Sequence, residues 1–353
     1  MADQRPAGQP LADLWDAEPG YLNTASFGLP PRPAWDALQA ALRDWQTGRT
    51  SWEPWVATVE AARQAFARLV HADPADVATS AAVSQLLGLV ADALPPGATV
   101  LAPEIEFTSN LFPWLVQADR GVRVRTVPAD HLADAIDART TIVACSAVQS
   151  ATGAIADLAT ISAAARAHGA LVAVDATQAV GWLPVDARLV DVLACGAYKW
   201  LMCPRGAAFM VISPAVQERL RPIGAGWFAG DDMPNSFYGP PLRLAATARR
   251  YDLGPAWHCW VGTAAALEVV ERLGVDAIGR HDVALANRFR AGLGLSESDS
   301  PIVSVDLPGA DVRLTAAGIR AATRAGSLRA SFHAYNTTDD VDRAVAALTE
   351  PHR

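Results

Sequence analysis

The sequence predicts an α/β protein: a large domain built on a mostly parallel sheet, joined to a smaller α+β domain. Three observations carry this expectation. Short β-rich runs alternate with helical segments between residues 77 and 212. Two of these runs, TIVACS and LVAVD, are nearly continuously apolar, as strands buried on both faces are. The chain has 353 residues, 51% of them hydrophobic, which is more than one compact core usually holds.

Taken in order, apolar residues recur at helical spacing over 56–70. Strands are expected at 77–79, 99–102, 122–127, 141–146, 171–175, 190–195 and 207–212. A turn of small residues at 80–82 leads into a helix running to 94, and helices near 110–119, 129–137 and 157–168 separate the later strands. Residues 222–256, rich in Gly, Pro and aromatics, read as long loops. A helix follows over 263–273. Beyond about 275, helices near 280–293, 313–325 and 339–349 with short strands between them suggest the small α+β domain.

Composition removes several function classes. Net charge is −8 and no long basic run interrupts it, so nucleic acid is a poor partner. The N-terminus shows no apolar stretch of signal-peptide length, and nowhere do eighteen apolar residues run uninterrupted. No membrane is expected, and the expected location is cytoplasmic. Cys145, Cys195, Cys203 and Cys259 lack metal-ligand spacing and read as buried thiols in a reducing compartment, with no metal site.

The 29 basic residues comprise 28 arginines and one lysine, Lys199. Arginine can replace lysine on a solvated surface, but a guanidinium stays protonated and forms no Schiff base. A single retained primary amine therefore points to chemistry. Lys199 follows the VLACG strand, Asp175 closes LVAVD, and Phe107 follows the TVLAPE strand, which places all three at carboxyl ends of strands, where open parallel sheets bind ligands. Ser80 to Ser84 lies between a strand and a helix start, where free backbone N–H groups can face a phosphate. A phosphate cradle, a buried acid and an isolated amine together suit an aldehyde cofactor with a phosphate and a basic ring nitrogen. Pyridoxal 5′-phosphate meets all three demands.

At these residues the chain resembles the class V aminotransferase family of fold-type I enzymes, which includes cysteine desulfurases and isopenicillin-epimerase-like proteins. YLNTASFGLPPR (21–32) is similar to the family's opening, ATSAAVS (78–84) to its phosphate loop, and EFTSNLFPW (106–114) to the segment that stacks on the pyridine ring. VDATQAVG (174–181), GAYKWLMCPRG (196–206) and LRASFHAYNTTDDVDR (328–343) resemble the ring-nitrogen, Schiff-base and substrate-arginine segments. The resemblance implies a large domain over 30–274 with a mostly parallel seven-stranded sheet. It implies a small domain from 1–29 and 275–353.

For the site, the resemblance implies Lys199 as the Schiff-base lysine and Asp175 on the protonated ring nitrogen. Gln178 would reach the phenolic oxygen, and Phe107 would stack on the ring. The phosphate would be held by Ser80, Ser84 or Tyr198 and by the N–H groups of Ala82 and Val83. Arg329 and Asn23 are nominated for the substrate, with Arg329 gripping an α-carboxylate. Two departures stand out. Gly196 and Tyr198 occupy places where the family usually has Ser and His, and Gly254-Pro255-Ala256-Trp257 offers no hydroxyl where a partner subunit often brings Thr. Residues 300–328 contain no cysteine, which disfavours a desulfurase. The resemblance implies a homodimeric enzyme with shared active sites, acting on an amino acid or related amine, transamination first. Elimination of a β substituent (C–S lyase), epimerisation, decarboxylation and a non-catalytic, cofactor-binding relative remain open. His258 and His333 read as structural.

Overall fold

The structure is a computed structural model that describes residues 14–349. Residues 1–13 and 350–353, parts of the expected small domain, lie outside the described residues, as does most of the N-terminal stretch read for a signal peptide. The apolar runs form β1 (Val77–Ser80), β2 (Thr99–Pro103), β3 (Arg123–Val127), β4 (Ile142–Ser146), β5 (Leu171–Asp175), β6 (Val192–Gly196) and β7 (Ala208–Ile212). They make one seven-stranded sheet in the order β1-β7-β6-β5-β4-β2-β3. β3, β2, β4, β5 and β6 run parallel, whereas β7 is antiparallel to both β6 and β1.

Side chains of a strand alternate between the two faces, and here both faces are buried. Val143, Cys145, Val172, Val174, Leu193 and Cys195 enter one core. Their neighbours Ile142, Ala144, Ala173, Val192 and Ala194 enter the other. That double burial is why β4, β5 and β6 read as unbroken apolar runs. The first face is covered by α1 (Arg32–Gln46), α2 (Glu53–Leu69), α5 (Leu158–Ala167) and α7 (Trp257–Leu273). The second is covered by α3 (Val83–Asp92) and α4 (Thr108–Leu115), with the short α6 (Pro214–Gln217) at its margin. A second, antiparallel sheet, β8-β10-β9, comprises β8 (Ile302–Val305), β9 (Ala322–Arg324) and β10 (Ser327–Ser331). It packs with α8 (Val275–Gly292), α9 (Ala310–Ala316) and α10 (Thr338–Thr349) around Phe289, Phe332, Val341 and Leu22. Among the described residues no helix is long and apolar enough to cross a membrane.

Three expected helices differ. The segment expected over 129–137 forms a single 3₁₀ turn, Ala129–His131, because only Leu132 and Ile136 bury and two anchors do not offset helix nucleation. The helix expected over 110–119 is α4 up to Leu115 and then a 3₁₀ turn to Arg120, closed by Gly121 in the left-handed region. The helix expected over 313–325 stops at Ala316, before Gly318 at φ +72°, and residues 322–324 pair instead with β10. No helix was expected over α1, whose first turn carries Pro33, a residue well suited to a helix start. Of the four thiols, Cys259 is half-buried, since it lies in the first turn of α7.

A buried ion pair joins the loop before α7 to the sheet edge. Arg63 of α2 donates to Asp252 Oδ2 at 2.6 Å and also to the Val77 carbonyl. The N–H of Thr79 donates to Asp252 Oδ1 at 2.7 Å. Both side chains are almost wholly buried; Arg63 also holds Glu60 at 3.0 Å, whereas Asp252 has no second cation among the described residues, so removing Arg63 strands the Asp252 charge. Arg63→Met is expected to cost about 3–5 kcal/mol in denaturant unfolding, and the double variant Arg63→Met/Asp252→Leu less than that. Equal or greater loss in the double variant would refute this account.

Candidate active site

β6 ends at Gly196, and the chain turns through Ala197, Tyr198 and Lys199. The carbonyls of Tyr198, Lys199 and Trp200 are each held from a different part of the chain. Gly28 N–H donates to the Tyr198 carbonyl at 2.9 Å, and Met202 N–H donates to that of Lys199 at 3.0 Å. His333 Nε2 lies 3.0 Å from the Trp200 carbonyl, while its Nδ1 lies 2.9 Å from Asp282 Oδ2. Two glycines allow this close approach. A Cβ on Gly28 would sit 1.9 Å from the Lys199 oxygen, and one on Gly181, at φ +118°, 2.6 Å from the Trp200 oxygen.

The turn delivers the Lys199 amine into the interior, where the residue is 6% exposed. Burial pulls its pKa down to about 8; Asp175 opposes this, and Arg329 and Arg324 add to it. Asp175 closes β5 and accepts the Thr177 N–H at 2.9 Å. Burial pushes its carboxyl up, against the Thr177 hydrogen bonds and the charge of Lys199. Among the described residues no cationic side chain lies within ion-pair distance of Asp175. The Lys199 Nζ lies 5.5 Å from the centroid of Phe107 and 5.7 Å from that of Tyr198.

These groups share a cavity of about 130 Å³ lined by Ala81 to Ser84, Phe107, Ser109, Asp175, Thr177, Tyr198, Lys199 and Arg205. At one end lies the start of α3, whose first N–H groups receive no side-chain cap from Ala82. Arg205 stands at the same cavity with its guanidinium 4.8 Å from the Tyr198 ring centroid. Phe107, the N-cap residue of α4, is 42% exposed.

Of the residues nominated from sequence, Lys199, Asp175, Phe107, Tyr198, Ala82 and Val83 meet at this cavity. Arg329 adjoins it, close enough for its charge to act on Lys199. Three others lie elsewhere. The Ser80 hydroxyl turns to Gln85 Oε1 at 3.1 Å, and Ser84 lines the cavity instead. Gln178 donates to the Ala25 carbonyl at 2.9 Å and accepts from Trp200 Nε1 at 2.7 Å, so both ends of its amide are engaged in binding distant segments together. Asn23 lines a separate surface depression with Tyr21, Arg320 and Leu328, and its Oδ1 has no partner.

Thr177, Ser109 and Arg205 were not nominated. Arg205 had a signal, being a cation in the same segment that lacks the usual Ser and His. Glu106 was also missed: its carboxylate accepts from the backbone N–H and hydroxyl of Ser146 and from Phe107 N–H, which orients the Phe107 backbone. His333, read as structural, is a buried partner of Asp282 and a prop for the lysine turn.

The class of protein follows from comparison with known families. The family model for aminotransferase class-V matches residues 36–306, and the chain belongs to that family. It is 26% identical to a probable cysteine desulfurase of Methanothermobacter thermautotrophicus over 94% of each chain. It is 28% identical to isopenicillin N epimerase of Streptomyces clavuligerus over 93% of each. Among solved structures it resembles the cystine C–S lyase C-DES, with a TM-score of 0.85 and 24% identity, covering 94% of this chain and 97% of that one. The fold is that of fold-type I pyridoxal-phosphate enzymes.

The cofactor is pyridoxal 5′-phosphate, and the residues present fit it. Asp175, buried without an ion-pair partner, suits a ring-nitrogen cation. The uncapped start of α3 with Arg205, Ser84 and Tyr198 suits the phosphate, and the open face of Phe107 suits the ring. Because the amine titrates near pH 8, capture of added pyridoxal 5′-phosphate by the apoprotein should accelerate as pH rises through about 8. Asp175→Asn removes the charge that favours the ammonium and should move that midpoint downward. A midpoint in the ordinary lysine range near 10.5 would refute the buried-amine account.

Proposed function

We propose that this protein is a pyridoxal-phosphate enzyme that removes the α-proton of an amino acid, with amino transfer as the outcome. The observation that carries this is the chain's sole lysine, buried beside Asp175 with its pKa drawn to about 8, and nearby Arg329, which has no carboxylate partner among the described residues. Arg329 holds the α-carboxylate through its planar fork. Lys199 in its neutral form accepts the proton at Cα and returns one, an amine with a pKa near working pH being suited to both steps. Asp175 keeps the ring nitrogen protonated. The bound cofactor supplies the electron sink that weakens the bonds at Cα.

Elimination of a sulfur substituent from Cβ is the second reading, supported by relatives named for cysteine desulfuration and by the resemblance to a C–S lyase. A desulfurase that forms a persulfide on its own cysteine is disfavoured. Ahead of Arg329 the chain turns from β9 to β10 through Ala325 and Gly326 alone, and residues 300–328 carry no thiol. Burial holds the thiols of Cys145, Cys195 and Cys203 well above their usual range, so they are poor nucleophiles. Unpaired thiols suit a cytoplasmic setting. Exposed Ile223, Tyr238 and Leu242 in the long loops suit a homodimer.

The test is to mix holoenzyme with a panel of amino acids and follow cofactor absorbance and products together. Transfer leaves the amino group on the cofactor and yields one oxo acid per site until an oxo-acid acceptor is added. Elimination releases ammonia, oxo acid and the β substituent continuously. Lys199→Ala should lower turnover by about 10²–10⁴-fold or more. Wild-type turnover in that variant would sink the mechanism, and a cofactor spectrum indifferent to every amino acid would favour a non-catalytic relative.

A further inference from the structure

The β9–β10 hairpin sorts its side chains by register. Ser327 pairs with Arg324, Leu328 with Thr323 and Arg329 with Ala322. Directly paired residues share a face, and so do residues two apart on one strand. Arg324 and Arg329 therefore stand diagonally on one face, while Leu328 faces the core of the small sheet. Both guanidinium groups converge on one hydroxyl. Arg329 Nη2 donates to Ser26 Oγ at 2.7 Å and Arg324 Nη2 donates to it at 3.1 Å. Arg329 Nη1 donates to the Ser150 carbonyl at 2.7 Å, and its buried Nε has no partner.

Among the described residues neither guanidinium lies within ion-pair distance of a carboxylate. Two guanidinium groups that share one hydroxyl therefore place two positive charges side by side on this face of the hairpin. Burial and the charge of Arg324 draw Arg329 down to about 10. Arg329 lies in the interior, 2% exposed, whereas Arg324 reaches Ser26 from the exposed end of the hairpin. An α-carboxylate on Arg329 answers one of the two charges. The other is left for a group further along the ligand.

We propose that Arg324 binds a second acidic group, so that the preferred substrates are α-amino acids with a carboxylate side chain. This rests on the preceding section's assignment of Arg329 to the α-carboxylate. Ser26, which accepts from both arginines, retains its own O–H to donate to either anionic group.

The test compares diacid with monoacid on the holoenzyme. Calorimetric titration with glutarate and butyrate, which carry no amine and cannot react, reads the two arginines directly. Spectral titration with glutamate and glutamine reads them in the amino-acid setting. Wild-type protein should prefer the acidic member of each pair by about tenfold or more. Arg324→Ala should bring the ratio toward one, and Arg324→Lys should keep part of the preference, with circular dichroism verifying that both variants are folded. A wild-type ratio near one overturns the proposal. So does an Arg324→Ala variant that weakens both members by the same factor, since the two arginines would then share one carboxylate. If no amino acid perturbs the cofactor, the enzymatic reading fails and the substrate assignment with it, while an Arg324-dependent glutarate preference would still mark the anion site.

Discussion

The desolvated amine of Lys199 is the constraint around which the rest of the site is arranged. A lysine in water is protonated and useless as a nucleophile or base near neutral pH. Burial behind β6 disfavours the ammonium, and the charges of Arg329 and Arg324 disfavour it further. Asp175 pulls the other way, from the neighbouring strand β5. The amine ends near the pH at which it can give and take a proton, a balance that depends on where the sheet ends place each charge.

That balance requires the turn after β6 to be fixed. Consecutive carbonyls at 198, 199 and 200 are held by Gly28 from the N-terminal segment, by Met202 locally and by His333 from beyond β10. The fully buried His333 ring spans the Trp200 carbonyl and the Asp282 carboxylate, 3.0 and 2.9 Å from its two nitrogens. Gln178 adds a further link, between Ala25 and Trp200. Segments far apart in the chain therefore meet at the lysine. A change at Gly28 or Asp282 reaches the amine without touching it.

Charge is also partitioned across the cavity. Arg205, seven residues past Tyr198, stands in the lining beside the start of α3, where Gly196 offers no hydroxyl. Arg329 and Arg324, joined at Ser26, act on Lys199 from outside that lining. Asp175 is the one carboxylate in the lining. An overall acidic chain thus gathers Lys199 and Arg205 in one cavity, with Arg329 and Arg324 close by.

Sequence by itself determined the central sheet and its chemistry-bearing edge. Strands buried on both faces must be apolar throughout, so β4, β5 and β6 were legible, and the residues that close them, Asp175 and the Lys199 turn, followed. The lone lysine was legible because no arginine can replace a reactive amine. Tertiary structure alone decided the partners. Ser80 and Ser84 are equally hydroxylic in sequence, and only the rotation of the turn sends one to Gln85 and the other to the cavity. Gln178 was committed to Ala25 and Trp200 by contacts across 153 and 22 residues. The pairing of Arg324 with Arg329 came from a two-residue turn and its register, where a helix had been expected. Local periodicity reports which face is buried; it carries no information about which distant group waits there, and hydrogen bonds and charges are settled by that encounter.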